Sequence, residues 1–166
     1  DQTNRILIPH NPDIAGENVS YALRIADQCM LSPKQSETII TGALELARKL
    51  YSNPKYNTWD KEMTLLSNTL DKKQINTFFL LKNAVAVDKE TNDAWVQLKA
   101  AGLTADMDSA KEWRKAYLYL AERHKINDLY RHHVAERRER MSELDSRKPI
   151  LIRLRDGIEK KRRIEK

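Results

Sequence analysis

Glycine is scarce in this chain of 166 residues, with only Gly16, Gly42, Gly102 and Gly157. Sheet-rich and doubly wound folds need many tight turns, and tight turns draw on glycine's freedom at positive φ, so the scarcity favours helices. No glycine-rich loop is present that could cradle a phosphate, and no serine sits in a nucleophile elbow. Cysteine is scarcer still. Cys29 is alone, which excludes an intrachain disulfide and a four-cysteine metal site. It falls in an apolar pattern and reads as a small buried hydrophobe. No apolar run approaches the roughly 18 residues that would span a membrane. Helical bundles can build metal–carboxylate sites from Glu-x-x-His pairs, and none occurs. The expectation is a protein that is not an enzyme and carries no cofactor.

What is abundant is charge, at 33% of residues, with 40% hydrophobic residues. That balance fits long helices with solvated faces. The net charge of +6 is concentrated at one end. From Arg131 to Lys166 there are 13 Lys/Arg and 7 Asp/Glu, while the first 130 residues hold 17 of each sign. A basic end of this kind suits acidic protein surfaces, nucleic acid or an acidic membrane face. Its candidate partner-binding residues are Arg137, Arg138, Arg140, Arg147, Lys148, Arg153, Arg155, Lys160, Lys161, Arg162 and Arg163. Acidic residues interrupt the run, and neither a zinc-finger spacing nor a helix-turn-helix accompanies it, so nucleic acid ranks below protein as the partner.

Periodicity gives an all-α fold, an elongated and curved bundle of long antiparallel helices. Residues 1–16, with Pro9 and Pro12, read as an extended, irregular N-terminal arm that tucks Ile6, Leu7 and Ile8 against a helical domain over 17–148. A basic C-terminal helix follows over 149–166. Within the domain a first helix is expected from Glu17 to Met30. A second starts at Pro33 and stops before Pro54. A third runs from Thr58 to Leu70, and a long fourth runs from Asp71 to Gly102, with the β-branched stretch from Val87 to Thr91 as its weakest point. A last long helix is expected from Asp108 to the kink at Pro149. Trp59, Trp95 and Trp113 each fall in an apolar stripe and read as core. Long helices with unfilled apolar faces suit a homodimer.

Two segments align with an offset of 39 residues: Leu31-Ser32-Pro33-Lys34-Gln35 and Leu70-Asp71-Lys72-Lys73-Gln74. In each, the Leu can staple onto the first helical turn, Ser32 or Asp71 can cap it, and Gln35 or Gln74 can return a bond to the cap residue. The pair resembles the two Leu-Thr-x-x-Gln motifs of the Spy/CpxP family of bacterial periplasmic stress proteins. The resemblance covers about residues 20–82. It departs from that family in Ser32 and Asp71, which stand where the motif has threonine, and in the shorter spacing. It implies an all-helical homodimer of the periplasm that binds unfolded or dedicated protein partners without ATP, chaperone-like or related to envelope stress. A start at Asp1 rather than methionine is expected of a chain that has lost an N-terminal segment on export.

His124, Asp128, His132 and Glu136 recur every fourth residue. On one continuous helix they would share a face and stand as low-ranking candidate metal ligands.

Overall fold

The computed structural model describes residues 2–166, and among these the chain is helical with no strand. Nine helices follow in order: α1 Gln2–His10, α2 Pro12–Ala15, α3 Glu17–Arg24, α4 Pro33–Ser52, α5 Trp59–Thr69, α6 Lys72–Ala100, α7 Ser109–Leu129, α8 Val134–Asp145 and α9 Ile150–Ile164. The all-α fold is therefore as the sequence indicates. The chain divides into two compact units between Lys82 and Asn83, within α6. α1 and α2 pack on α3 and α4, and α9 packs on α7, so both ends belong to the cores beside them.

In the first unit the expected extended arm is corrected to two helices. Three consecutive apolar residues do not suit a helix with one buried face, and only the last of them is buried. Ile8 is enclosed, while Ile6 and Leu7 stay exposed. A salt bridge of 2.6 Å from Arg5 to Glu37 ties α1 to α4. The core gathers Val19, Ile39, Ala43, Trp59, Met63, Leu66, Phe78 and Phe79, with Tyr21, Phe78 and Phe79 in successive edge-to-face contacts. Each large side chain buried here contributes roughly 1.5–3 kcal/mol. Cys29 lies in this core, and burial pushes its thiol up from the ordinary range.

α3 ends six residues earlier than periodicity suggests. The chain leaves it through hydrogen-bonded turns, with Leu31 N–H donating to the Ala26 carbonyl at 2.9 Å and Met30 in the left-handed region at φ 54°. Long-range contacts to the Met30 carbonyl, described below, accompany this departure.

The second unit holds the rest of α6 with α7, α8 and α9 around Val87, Ala94, Leu98, Ala116, Leu120, Ile126, Leu144, Leu151 and Ile152. α6 runs unbroken for 29 residues, about 44 Å. The expected weak point does not break it, because buried Thr91 returns its hydroxyl to the Val87 carbonyl at 2.6 Å and so hides a polar group inside the helix. Gly102, at φ 72°, ends the helix region as the sequence suggests.

The expected single helix from Asp108 to Pro149 is two helices. α7 stops at Leu129, and α8 begins at Val134. The side chain of Arg137 donates to the Arg131 carbonyl at 2.9 Å, which gives a backbone acceptor in the break a partner.

Candidate functional site

The two copies of the duplicated motif meet in the first unit. Ser32 and Asp71 each cap their helix: the Ser32 hydroxyl accepts from Gln35 N–H at 3.1 Å, and the Asp71 carboxylate accepts from Gln74 N–H at 2.8 Å. The glutamine oxygens accept in return from Ser32 N–H at 2.9 Å and Asp71 N–H at 3.0 Å. These are two complete capping boxes. Beyond them, the two side-chain amides bond each other reciprocally. Gln35 Nε2 donates to Gln74 Oε1 at 2.8 Å, and Gln74 Nε2 donates to Gln35 Oε1 at 3.0 Å. Each amide also crosses to the other copy's backbone, Gln35 to the Thr69 carbonyl and Gln74 to the Met30 carbonyl, both at 3.1 Å. Thr69 and Met30 occupy the same place in the two copies, two residues before the cap. The interlock thus relates the starts of α4 and α6 by a local pseudo-twofold. Of the two leucines that precede the caps, Leu70 is buried and Leu31 half-buried.

A second polar cluster supports the same unit. Glu62, fully buried on α5, accepts from the N–H groups of Asn18 at 2.8 Å and Val19 at 3.1 Å and from the Thr58 hydroxyl at 2.9 Å. It thereby caps α3 from 44 residues away. Burial raises the Glu62 carboxyl above the ordinary glutamate range, and the three donors pull the other way without cancelling that effect. Gly16, at φ 119°, makes the room: a Cβ there would lie 2.5 Å from the carboxylate carbon. Sequence reasoning missed this contact. The available signal was the start of α3 at Gly16-Glu17, which offers no side-chain cap of its own.

The basic residues fall into two groups. Some are engaged within the second unit. Lys148 and Arg155 hold Asp156, both at 3.0 Å. Burial alone would push Asp156 up, but these two cations outweigh it and hold the carboxyl below its usual range. Arg137 is spent on the Arg131 carbonyl, and the Arg140 guanidinium lies 5.8 Å from the Tyr130 ring. Arg138, Arg147, Arg153, Lys160, Lys161, Arg162 and Arg163 are exposed. The last four form the end of α9, ahead of Ile164, which is itself exposed.

Apolar surface lies elsewhere in this unit. Trp95 and Trp113, with Ser109, Ala110 and Arg114, line an open groove of about 520 Å³ between α6 and α7. Both indoles are half-buried, so the expectation that all three tryptophans are core holds in full only for Trp59. The Trp113 ring stacks on Tyr117 with centroids 5.2 Å apart, and its Nε1–H donates to Asn92 at 2.9 Å. Alternating helix faces hid this feature from the sequence: a stripe of aromatics at helical spacing reads as core whether or not a neighbour covers it.

The histidine ladder is corrected. Since α7 ends at Leu129, His132 and Glu136 do not continue the face of His124 and Asp128. His124 instead pairs with Glu90 at 2.6 Å, and Asn83 donates to Asp128 at 3.2 Å. Among the described residues no three His, Cys, Asp or Glu side chains gather as a metal site, and no helix is long and apolar enough to cross a membrane.

No protein-family model, curated protein or solved structure matches the chain.

Proposed function

We propose that this chain is a non-enzymatic, ATP-independent binding protein that holds partly unfolded protein segments, chaperone-like and related to envelope stress, acting as a homodimer in the periplasm. The observation that carries the reading is the Gln35–Gln74 interlock. Capping boxes are common, and two of them could arise independently in any helical protein. Two copies whose defining glutamines bond each other and reach across to equivalent carbonyls form one structural device, and this favours the resemblance to the paired motifs of the Spy/CpxP family over a coincidence of helix starts. The surface chemistry agrees with such a role. The exposed cations at the end of α9 attract chains at a distance, and half-covered aromatic surface supplies short-range contact. Exposed Val85 and Val96 on α6 offer apolar area for a second copy.

The test is light scattering of a client protein diluted from denaturant, without ATP, at equimolar chaperone and at low and high salt. The proposal expects suppressed scattering at low salt and weaker suppression at high salt, where exposed charges are screened. Unaltered aggregation across several clients would refute it.

A second reading rests on Lys160, Lys161, Arg162 and Arg163, whose exposed run could neutralise phosphates. Nucleic-acid binding through that run expects log affinity to fall linearly with log salt, with a slope of about −3.6 for four contacts on a duplex.

A further inference from the structure

We infer that the Trp95–Trp113 groove is a recognition site for aromatic side chains flanked by carboxylates, and so selects acidic–aromatic segments of a bound polypeptide. The inference rests on the holding function proposed above and adds the chemistry of the segment held.

Two indoles and Ala110 line the open groove, with Ser109 as its one neutral polar residue, so the lining favours an apolar group flat enough to lie against an aromatic face. Trp113 already commits its only donor to Asn92 and stacks on Tyr117. What it offers to the groove is carbon surface and π-density rather than a hydrogen bond. A volume of about 520 Å³ accommodates one aromatic side chain with its neighbouring backbone.

The charge at the rim points to the flanking group. Arg114 is exposed and lines the groove. No carboxylate lines the groove: of those nearby, Asp93 holds Lys89 at 2.8 Å, Asp108 caps α7 through Lys111 N–H at 3.2 Å, and Glu112 turns one oxygen to Lys115 at 3.5 Å while the other is buried. A guanidinium beside apolar walls favours an incoming carboxylate and disfavours an incoming lysine. The lining therefore combines apolar surface with a single charged side chain, Arg114.

The test uses the full chain and three blocked peptides: alternating phenylalanine and glutamate, alternating phenylalanine and lysine, and alternating phenylalanine and serine. Binding is read by titration calorimetry and by tryptophan fluorescence. Trp59 is buried in the other unit, so Trp95 and Trp113 are the expected reporters. The acidic peptide binds most tightly. Arg114→Gln weakens it about two- to fivefold, the range that an exposed ion pair supports, and leaves the serine peptide unchanged. Trp113→Leu, with helicity checked by circular dichroism, weakens all three. Equal binding of the acidic and lysine peptides, or indifference of the acidic peptide to Arg114→Gln, overturns the inference. If the peptides behave as expected but aggregation is not suppressed, the groove stands and the holding function falls. If aggregation is suppressed but the peptides do not discriminate, the groove fails alone.

Discussion

Breaking the interlock from both sides measures its strength directly. Gln35→Ala removes four side-chain hydrogen bonds: one in its capping box, one to the Thr69 carbonyl and two to Gln74. Gln74→Ala also removes four, one in its own box, one to the Met30 carbonyl and the same two shared bonds. The double variant loses six, because the shared pair is counted once. A hydrogen bond of this kind contributes about 0.5–1.5 kcal/mol net, and the part-buried setting places these toward the lower half of that range. Each single variant should therefore cost about 2–4 kcal/mol, and the double variant about 3–6 kcal/mol. The double-mutant cycle should return a coupling of about 1–2 kcal/mol. Urea unfolding followed by circular dichroism is the assay, analysed for the transition that includes the first unit. Additive single effects, with a coupling below about 0.3 kcal/mol, would show that the amides do not bond each other in solution and that the motifs are independent helix caps.

Three further outcomes follow from the first unit. Because the folded-state pKa of Glu62 is raised, ionising it in the fold costs stability, which is lost as pH climbs from the ordinary glutamate range through the folded value and then stays constant. Glu62→Gln keeps an acceptor for Asn18 and Val19 N–H and removes the charge, so its stability relative to the parent should be more favourable at pH 7 than at pH 4; an equal difference at both would contradict the burial argument. Glu62→Ala bares two buried donors and should cost about 2–4 kcal/mol in chemical denaturation. Met30 is exposed with a positive φ, so Met30→Gly should stabilise by roughly 0.5 kcal/mol, the relief of left-handed strain outweighing the added freedom of the unfolded chain; a lowered thermal midpoint would show that the Met30 side chain carries contacts of its own.

The helix starts were legible because they are local. Ser32 and Gln35, or Asp71 and Gln74, satisfy each other within four residues, and the sequence states that pairing outright. That the two boxes meet is a tertiary fact, and only the duplication hinted at it. The helical N-terminal segment was not legible, because Ile6-Leu7-Ile8 lacks helical periodicity and its placement depends on packing of Ile8 alone. The break between α7 and α8 also escaped: no proline or glycine marks Tyr130–His133. Glu62 looked like one more charged helix residue, since a carboxylate that caps a helix 44 residues away leaves no spacing to read. The groove was hidden for a related reason. Periodicity places Trp95 and Trp113 on apolar stripes but does not say how completely another element covers them.

The proposed holding function is tested most directly by light scattering of an unfolding client at equimolar ratio, without ATP and at low salt. The parent chain is compared with a variant in which Lys160, Lys161, Arg162 and Arg163 are all glutamine. The parent is expected to suppress scattering, and the variant, equally helical and with the same unfolding midpoint, to suppress it less, because the long-range attraction has been removed. Aggregation that proceeds unchanged in the presence of the parent chain would refute the proposed holding function.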